Sequence, residues 1–412
     1  MSEKTPHIFE GYGIELEYMI VNRESLDVLP VADRVLERAA GRMVNEVEYG
    51  PIGWSNELVL HVIELKTVGP VAGLAGLEEL FQENVGRAND LLAELDGRLM
   101  PGGMHPWMDP HRETNLWPHG DRAIYRAYDR IFGCRGHGWA NLQSMHLNLG
   151  FRGDEEFAAL HSAIRLLLPL LPALAASSPV AEGEVTGLMD TRLDYYRRNQ
   201  LKVPSITGAI IPENAGSRRE YREKILARLY ADIRPHDPDH LLQYEWLNSR
   251  GAIARFERSA IEIRLADVQE CPAADLAVAG AIIGGLRWLV ERQAGGSPGP
   301  GPDEMALREI LLATIREGEQ AAITDRGYLE FFGTGRPLLT AGELWQLILE
   351  KSPPDSRPAS PAVGRALDLI LAKGPLARRL LKAIGPAPSR CGLADVYRQL
   401  CDCLAGGEPF DP

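Results

Sequence analysis

At 412 residues the chain exceeds the usual size of one domain, and 45% apolar with 25% charged residues is ample for a sizeable core. Its net charge of −13 argues against nucleic acid or an anionic membrane as the main partner, since both need a basic footprint. The scattered Cys134, Cys271, Cys391, Cys401 and Cys403 form no disulfide framework, the amino terminus lacks a leader pattern, and no run reaches the roughly 18 apolar residues of a membrane span, so a soluble cytoplasmic protein is expected.

Taken in order, residues 11–22 are expected to form a strand and 30–40 a helix. The apolar segment 56–66 reads as a strand carrying a bulge, followed by a long helix over 72–98. A loop rich in Pro, Gly and His covers 101–120, and a helix 121–132. Strand 143–151 leads into helix 155–175, a polar loop 177–202 and a helix at 217–231. Strands 252–258 and 259–267 and helix 272–294 then close a body of residues 1–294. The Gly/Pro run 295–302 is a linker, because its composition sustains neither helix nor strand. Beyond it, 303–412 reads as helical, with Asp303 capping a helix to Glu319, a break at 352–358, and helices at 341–351 and 362–384. The fold class is α+β with a mostly antiparallel sheet, helices on its outer face, and a C-terminal helical region.

Three of the strands carry polar pairs two residues apart: Glu15 and Glu17, His146 and Asn148, Glu262 and Arg264. Alternation along a strand puts each pair on one face and the apolar neighbours on the other. Two carboxylates on a buried strand repel each other unless a cation or water lies between them. Glu57 and Glu64 add two more acids, and their separation of seven residues shares a face on a strand only through a bulge. Arg250 and Arg255 stand just before the last strand and Asp267 ends it, making 250–267 the richest arginine and acid cluster of the body. Such a face suits divalent cations and a polyphosphate, with guanidinium forks on the phosphate oxygens. A solvated acid face, a hydrogen-bonded core histidine and a cross-strand ion pair are the plainer alternatives for each pair taken alone. His105 and His111 fit no zinc spacing, and Cys401 and Cys403 lack a second ligand pair. P-loop, dinucleotide-binding, GxSxG and HExxH patterns are absent.

Six pieces in order resemble the carboxylate–amine ligases of the glutamate–cysteine ligase type 2 family, which is similar in fold to glutamine synthetase. They are Gly13-Ile14-Glu15-Leu16-Glu17, Ile63-Glu64-Leu65-Lys66-Thr67, Gly102-Gly103-Met104-His105-Pro106 and Met145-His146-Leu147-Asn148-Leu149-Gly150, then Ala176-Ser177-Ser178-Pro179 with Glu182-Gly183 and Thr186-Gly187, and Ile261-Glu262-Ile263-Arg264-Leu265-Ala266-Asp267. The resemblance covers about residues 10–292. It implies a curved sheet around an active site that uses ATP with Mg²⁺ or Mn²⁺. Glu15, Glu17, Glu57, Glu64, His146 and Glu262 are the implied metal ligands. His146, Arg250 and Arg264 are the expected nucleotide contacts, Glu64 and Arg264 the catalytic residues, and Tyr125 and Arg192 the substrate contacts. Two departures bear on the acceptor pocket: Asn148 stands where many members have a second histidine, and the stretch Phe256-Glu257-Arg258 is long.

The implied chemistry is phosphorylation of a carboxylate by ATP and displacement of phosphate by an amine, with glutamate and cysteine as the expected pair of small-molecule substrates. Another amine acceptor, a metal-dependent hydrolase and a non-catalytic binding protein are the alternatives. The C-terminal region is expected to cover the site, form a subunit contact in a homo-oligomer or shield a sheet edge.

Overall fold

The structure, a computed structural model, describes residues 6–120, 122–296, 301–356, 358 and 360–412. Residues 297–300 of the expected linker and 357 of the expected break lie outside the described residues.

Eight strands form the main sheet among the described residues: β1 (Tyr12–Asn22), β2 (Glu46–Tyr49), β3 (Ile52–Asn56), β4 (Val62–Thr67), β5 (Gly97–Met100), β6 (Ser144–Gly150), β7 (Ala252–Arg255) and β8 (Ala260–Asp267). Their order is β2-β3-β4-β1-β6-β8-β7, with β5 extending beside β4 along the second half of β1. Every pairing in it is antiparallel. The sheet is α+β in class and open, as the alternation of β1, β6 and β8 predicts.

One face is apolar. Ile14, Leu16, Tyr18 and Ile20 of β1 are fully buried in a large core shared with the helices Leu77–Ala93, Gly153–Leu167 and Pro272–Ala294. The last of these is long and apolar enough to cross a membrane, contrary to the expectation from sequence, and 78% of its apolar window is buried inside the fold. Its apolarity is that of a helix largely enclosed in the core.

The other face changes character along β1. Glu15 and Glu17 share it with Met19 and Val21, which belong to a second core completed by Leu376, Leu380, Leu393, Tyr397, Leu400 and Phe410. The C-terminal helices therefore cover the continuation of the acid-bearing face, and Arg379 pairs with Glu270 at 2.6 Å with both side chains 1% exposed.

Several expected elements differ in extent. Residues 56–66 are not one strand: β3 ends at Asn56, the chain turns, and β4 starts at Val62. The helix expected over 72–98 spans Leu77–Ala93, since the chain turns at Asp96 with φ +57° and returns as β5. The helix expected over 362–384 is two, Pro361–Lys373 and Leu376–Ile384, broken at Gly374-Pro375 where proline cannot donate a helical hydrogen bond. Asp303 caps Glu304–Glu317 as expected, accepting from the Ala306 amide at 2.8 Å.

Candidate active site

The register of the sheet gathers acids contributed by distant parts of the chain. Glu17 stands opposite Glu64, and Ser55 opposite Glu64 on its other side. One row along, Lys66 faces Glu15 and Glu15 faces His146, while Glu262 faces Asn148. Glu57 reaches the same place from the β3–β4 turn rather than from a bulged strand. These residues line a cleft of about 810 Å³.

Two overlapping clusters have ligand-type atoms within 4.8 Å of one another: Glu15, Glu64 and His146, and Glu17, Glu57 and Glu64. The hard carboxylate oxygens that dominate both clusters are donors suited to a cation such as Mg²⁺ or Mn²⁺. The electrostatics fit a cation there. Burial, then the charge of Glu15, pushes Glu64 up to about 7 despite Lys66 at 3.3 Å and the Ser55 hydroxyl donating at 2.7 Å. Desolvation, followed by the charges of Glu64, Glu17 and Glu15, raises Glu57 well above the carboxylate range. So many acids in one pocket are stable as anions only with positive charge between them.

Glu15 behaves differently. Burial works to raise it, but the hydrogen bond and charge of His146 at 3.0 Å, with the Asn148 amide donating at 2.9 Å, hold it well below the usual range. His146 is its counterpart: burial would lower it, yet Glu15 and Glu17 raise it above its ordinary value. Its Nε2 meets the Ser144 hydroxyl at 3.0 Å, and Ser144 donates from both backbone and side chain to Glu17 at 2.6 and 2.9 Å.

Glu262 anchors the arginines. Arg264 approaches it at 2.5 Å and Arg255 at 3.1 Å. Burial works to raise the Glu262 carboxyl, but the charges of Arg264, His146 and Arg255 together hold it below its ordinary value. Arg264 keeps 20% of its side chain exposed and lines the cleft.

Three expected contacts sit elsewhere or act differently. Arg250 does not line the cleft: its guanidinium is buried and bound to Glu213 at 2.6 and 2.7 Å, Asn248 and the Ser205 carbonyl. With those donors committed, the expectation of a nucleotide contact is corrected. Tyr125 also lies off the cleft lining, where its hydroxyl accepts from the Asn56 amide at 3.1 Å; Tyr128, one helical turn later, lines the cleft instead. Arg192 reaches the cleft floor with its guanidinium engaged by Asp267 and the Leu265 carbonyl.

The sequence reading missed Glu46 and Glu48 on β2, whose Glu-Val-Glu-Tyr alternation repeats the signal used for β1. It also missed the aromatic wall of Tyr128, Trp139, Tyr196 and Trp246, which comes from four separate short elements without local pattern.

A protein of Archaeoglobus fulgidus that carries no functional name is 42% identical over 280 residues, covering 68% of this chain and 74% of that one. A Nocardioides protein named provisionally as a glutamate–cysteine ligase 2-1 is 27% identical, covering 74% of this chain and 75% of its own. Among solved structures, the glutamate–cysteine ligase of Francisella tularensis in complex with AMP aligns with a TM-score of 0.61 at 12% identity, over 97% of this chain and 89% of that one. A bifunctional glutathione synthetase of Pasteurella multocida aligns with a TM-score of 0.52 at 15% identity, over 96% of this chain and 52% of that one. These two likenesses show a shared fold. The model of glutamate–cysteine ligase family 2 matches residues 12–317, and the chain belongs to that family.

Proposed function

We propose that this ligase joins the γ-carboxyl group of glutamate to the amine of cysteine through an acyl phosphate made with ATP. The coarser statement, an ATP-dependent carboxylate–amine ligase, follows from the family; the substrate pair is the proposal. The observation that carries it is the convergence of Glu15, Glu17, Glu57, Glu64, His146, Glu262 and Arg264 on one cleft.

A carboxylate is a poor electrophile. One of its oxygens attacks the γ-phosphorus of ATP and ADP leaves; the amine nitrogen then attacks the acyl carbon, phosphate departs, and the ammonium proton passes to an acid of the cleft. Phosphoryl transfer is assisted mainly by position and by neutralised charge. Glu15, Glu17, Glu57, Glu64 and Glu262, with His146, are proposed to hold Mg²⁺ or Mn²⁺. When bound, the cation supplies positive charge for the phosphate oxygens. Arg264 is proposed to face the transferred phosphate, and its bond to Glu262 fixes its direction. The hydrolase reading is weaker, because the family whose model matches this chain is one of ligases. The five free cysteines suit a reducing cytoplasm.

Purified protein incubated with ATP, Mg²⁺, glutamate and a panel of amines, with ADP release followed, tests the reading. Release that requires both glutamate and cysteine is expected. Turnover without ATP would overturn the ligase assignment, and release with a different pair would overturn the substrates alone.

A further inference from the structure

The last strand of the sheet is irregular where it matters. Ile263 of β8 pairs with Leu147 and Ala266 with Met145, so Arg264 and Leu265 together oppose the single residue His146. This is a β-bulge, which re-aims side chains and removes regular ladder bonds from its carbonyls. Arg264 projects to the cleft from the bulge, while Leu265 is fully buried.

The carbonyls of the bulge are held from beneath. Arg192 donates from Nη2 to the Leu265 carbonyl at 2.8 Å and to the Arg264 carbonyl at 3.4 Å, and its Nε pairs with Asp267. Asp267 is tied in turn to the Ser177 amide and the Ser178 hydroxyl, each at 2.8 Å. Ser178 closes the ring by accepting from the Arg192 amide at 3.1 Å. Both charges are buried, Arg192 1% exposed and Asp267 0%. The packing leaves no slack: a Cβ on Gly103 would fall 2.4 Å from the Asp267 carboxyl carbon, and one on Gly251 2.5 Å from Leu265.

We infer that Arg192 and Asp267 are positioning residues that lock the Arg264–Leu265 bulge so that Arg264 points at the transferring phosphate, rather than contacts for the substrate. This rests on the ligase reading of the cleft. A planar fork that spans two carbonyls and a carboxylate is needed, which lysine cannot supply although it keeps the charge.

The test is a double-mutant cycle of Arg192→Lys and Arg264→Ala on the full chain, with kcat and KM for ATP measured alongside thermal melts and a crystal structure of Arg192→Lys. A residue acting through Arg264 loses its effect once Arg264 is gone. Arg192→Lys is expected to lower kcat by about tenfold or more with KM for ATP within about twofold, and to change the Arg264→Ala enzyme by less than about twofold. Its crystal structure is expected to show the Arg264 side chain displaced from Glu262. Fold-losses that multiply in the double variant, a kcat loss accounted for by unfolded protein, or an Arg264 left in place would overturn the inference. A wild-type protein without ATP-dependent turnover would instead count against the ligase reading, and the crystal structure would still decide the positioning role.

Discussion

Glu17 and Glu64 stand directly opposite each other on neighbouring antiparallel strands, 8% and 6% exposed. Like charges so placed destabilise a sheet by a few tenths to about 1 kcal/mol, so the fold carries a cost that only a site has reason to keep. Glu17→Gln retains an oxygen for both Ser144 donors and removes the repulsion. It is expected to raise the stability of the metal-free protein by up to about 1 kcal/mol and to lower ligase activity on the order of 100-fold. Chemical unfolding and ADP release measure the two effects, and a variant as active as wild type would refute the assigned role.

Proton competition gives the cation site a pH dependence. Glu64 must lose its proton to act as a ligand, and in the metal-free protein that occurs at about 7. Below that pH the cation displaces a proton from Glu64, so affinity for Mn²⁺ should strengthen with rising pH through neutrality, by about tenfold per unit for each proton displaced. Calorimetry in buffers of different ionisation enthalpy should also register proton release near pH 6.5. Affinity that is flat between pH 5.5 and 7.5 would place the cation away from Glu64.

How far the sequence reveals this site depends on whether a signal is local. The acid pairs of β1, β6 and β8 follow from period-two alternation, and the structure brings them to one face. Glu57 and Glu64 were expected to need a bulge, but a hairpin turn performs that task, and the bulge sits instead at Arg264–Leu265. Only the pairing partner reveals a bulge, and that partner is over a hundred residues away. Arg250 misled because an arginine near an acid cluster reads the same whether it binds ligand or braces Glu213. The switch on β1 from acids to Met19 and Val21 was visible, and it marks where the C-terminal helices dock.

The docking has its own consequence. We propose that the body and residues 303–412 fold as one unit, since truncation before 303 would strip the second core from Met19 and Val21. Arg379→Ala leaves Glu270 buried without its partner and is expected to cost about 3–5 kcal/mol. A truncated body that melts cooperatively near the wild-type temperature would show two independent units.

A buried histidine sets acid sensitivity. His161 packs between Phe157 and Tyr221 with no hydrogen-bond partner for either ring nitrogen among the described residues, and burial lowers it to about 3. The unfolded chain takes up a proton near pH 6.5 that the fold refuses until about 3, so stability falls as pH drops through that window, by up to about 1.4 kcal/mol per unit. His161→Leu is expected to raise stability at pH 7 by about 1 kcal/mol and to flatten the loss between pH 6.5 and 5. Urea unfolding at several pH values measures both, and an unchanged slope would exclude His161 as a source.

The central claim is that a carboxylate is activated by phosphorylation in the acid-lined cleft. Glutamate labelled with ¹⁸O in its carboxyl groups, incubated with ATP, Mg²⁺ and cysteine, tests it through the mass of the released phosphate. The account predicts one ¹⁸O atom transferred into each phosphate formed with product, and unlabelled phosphate accompanying amide product would contradict it.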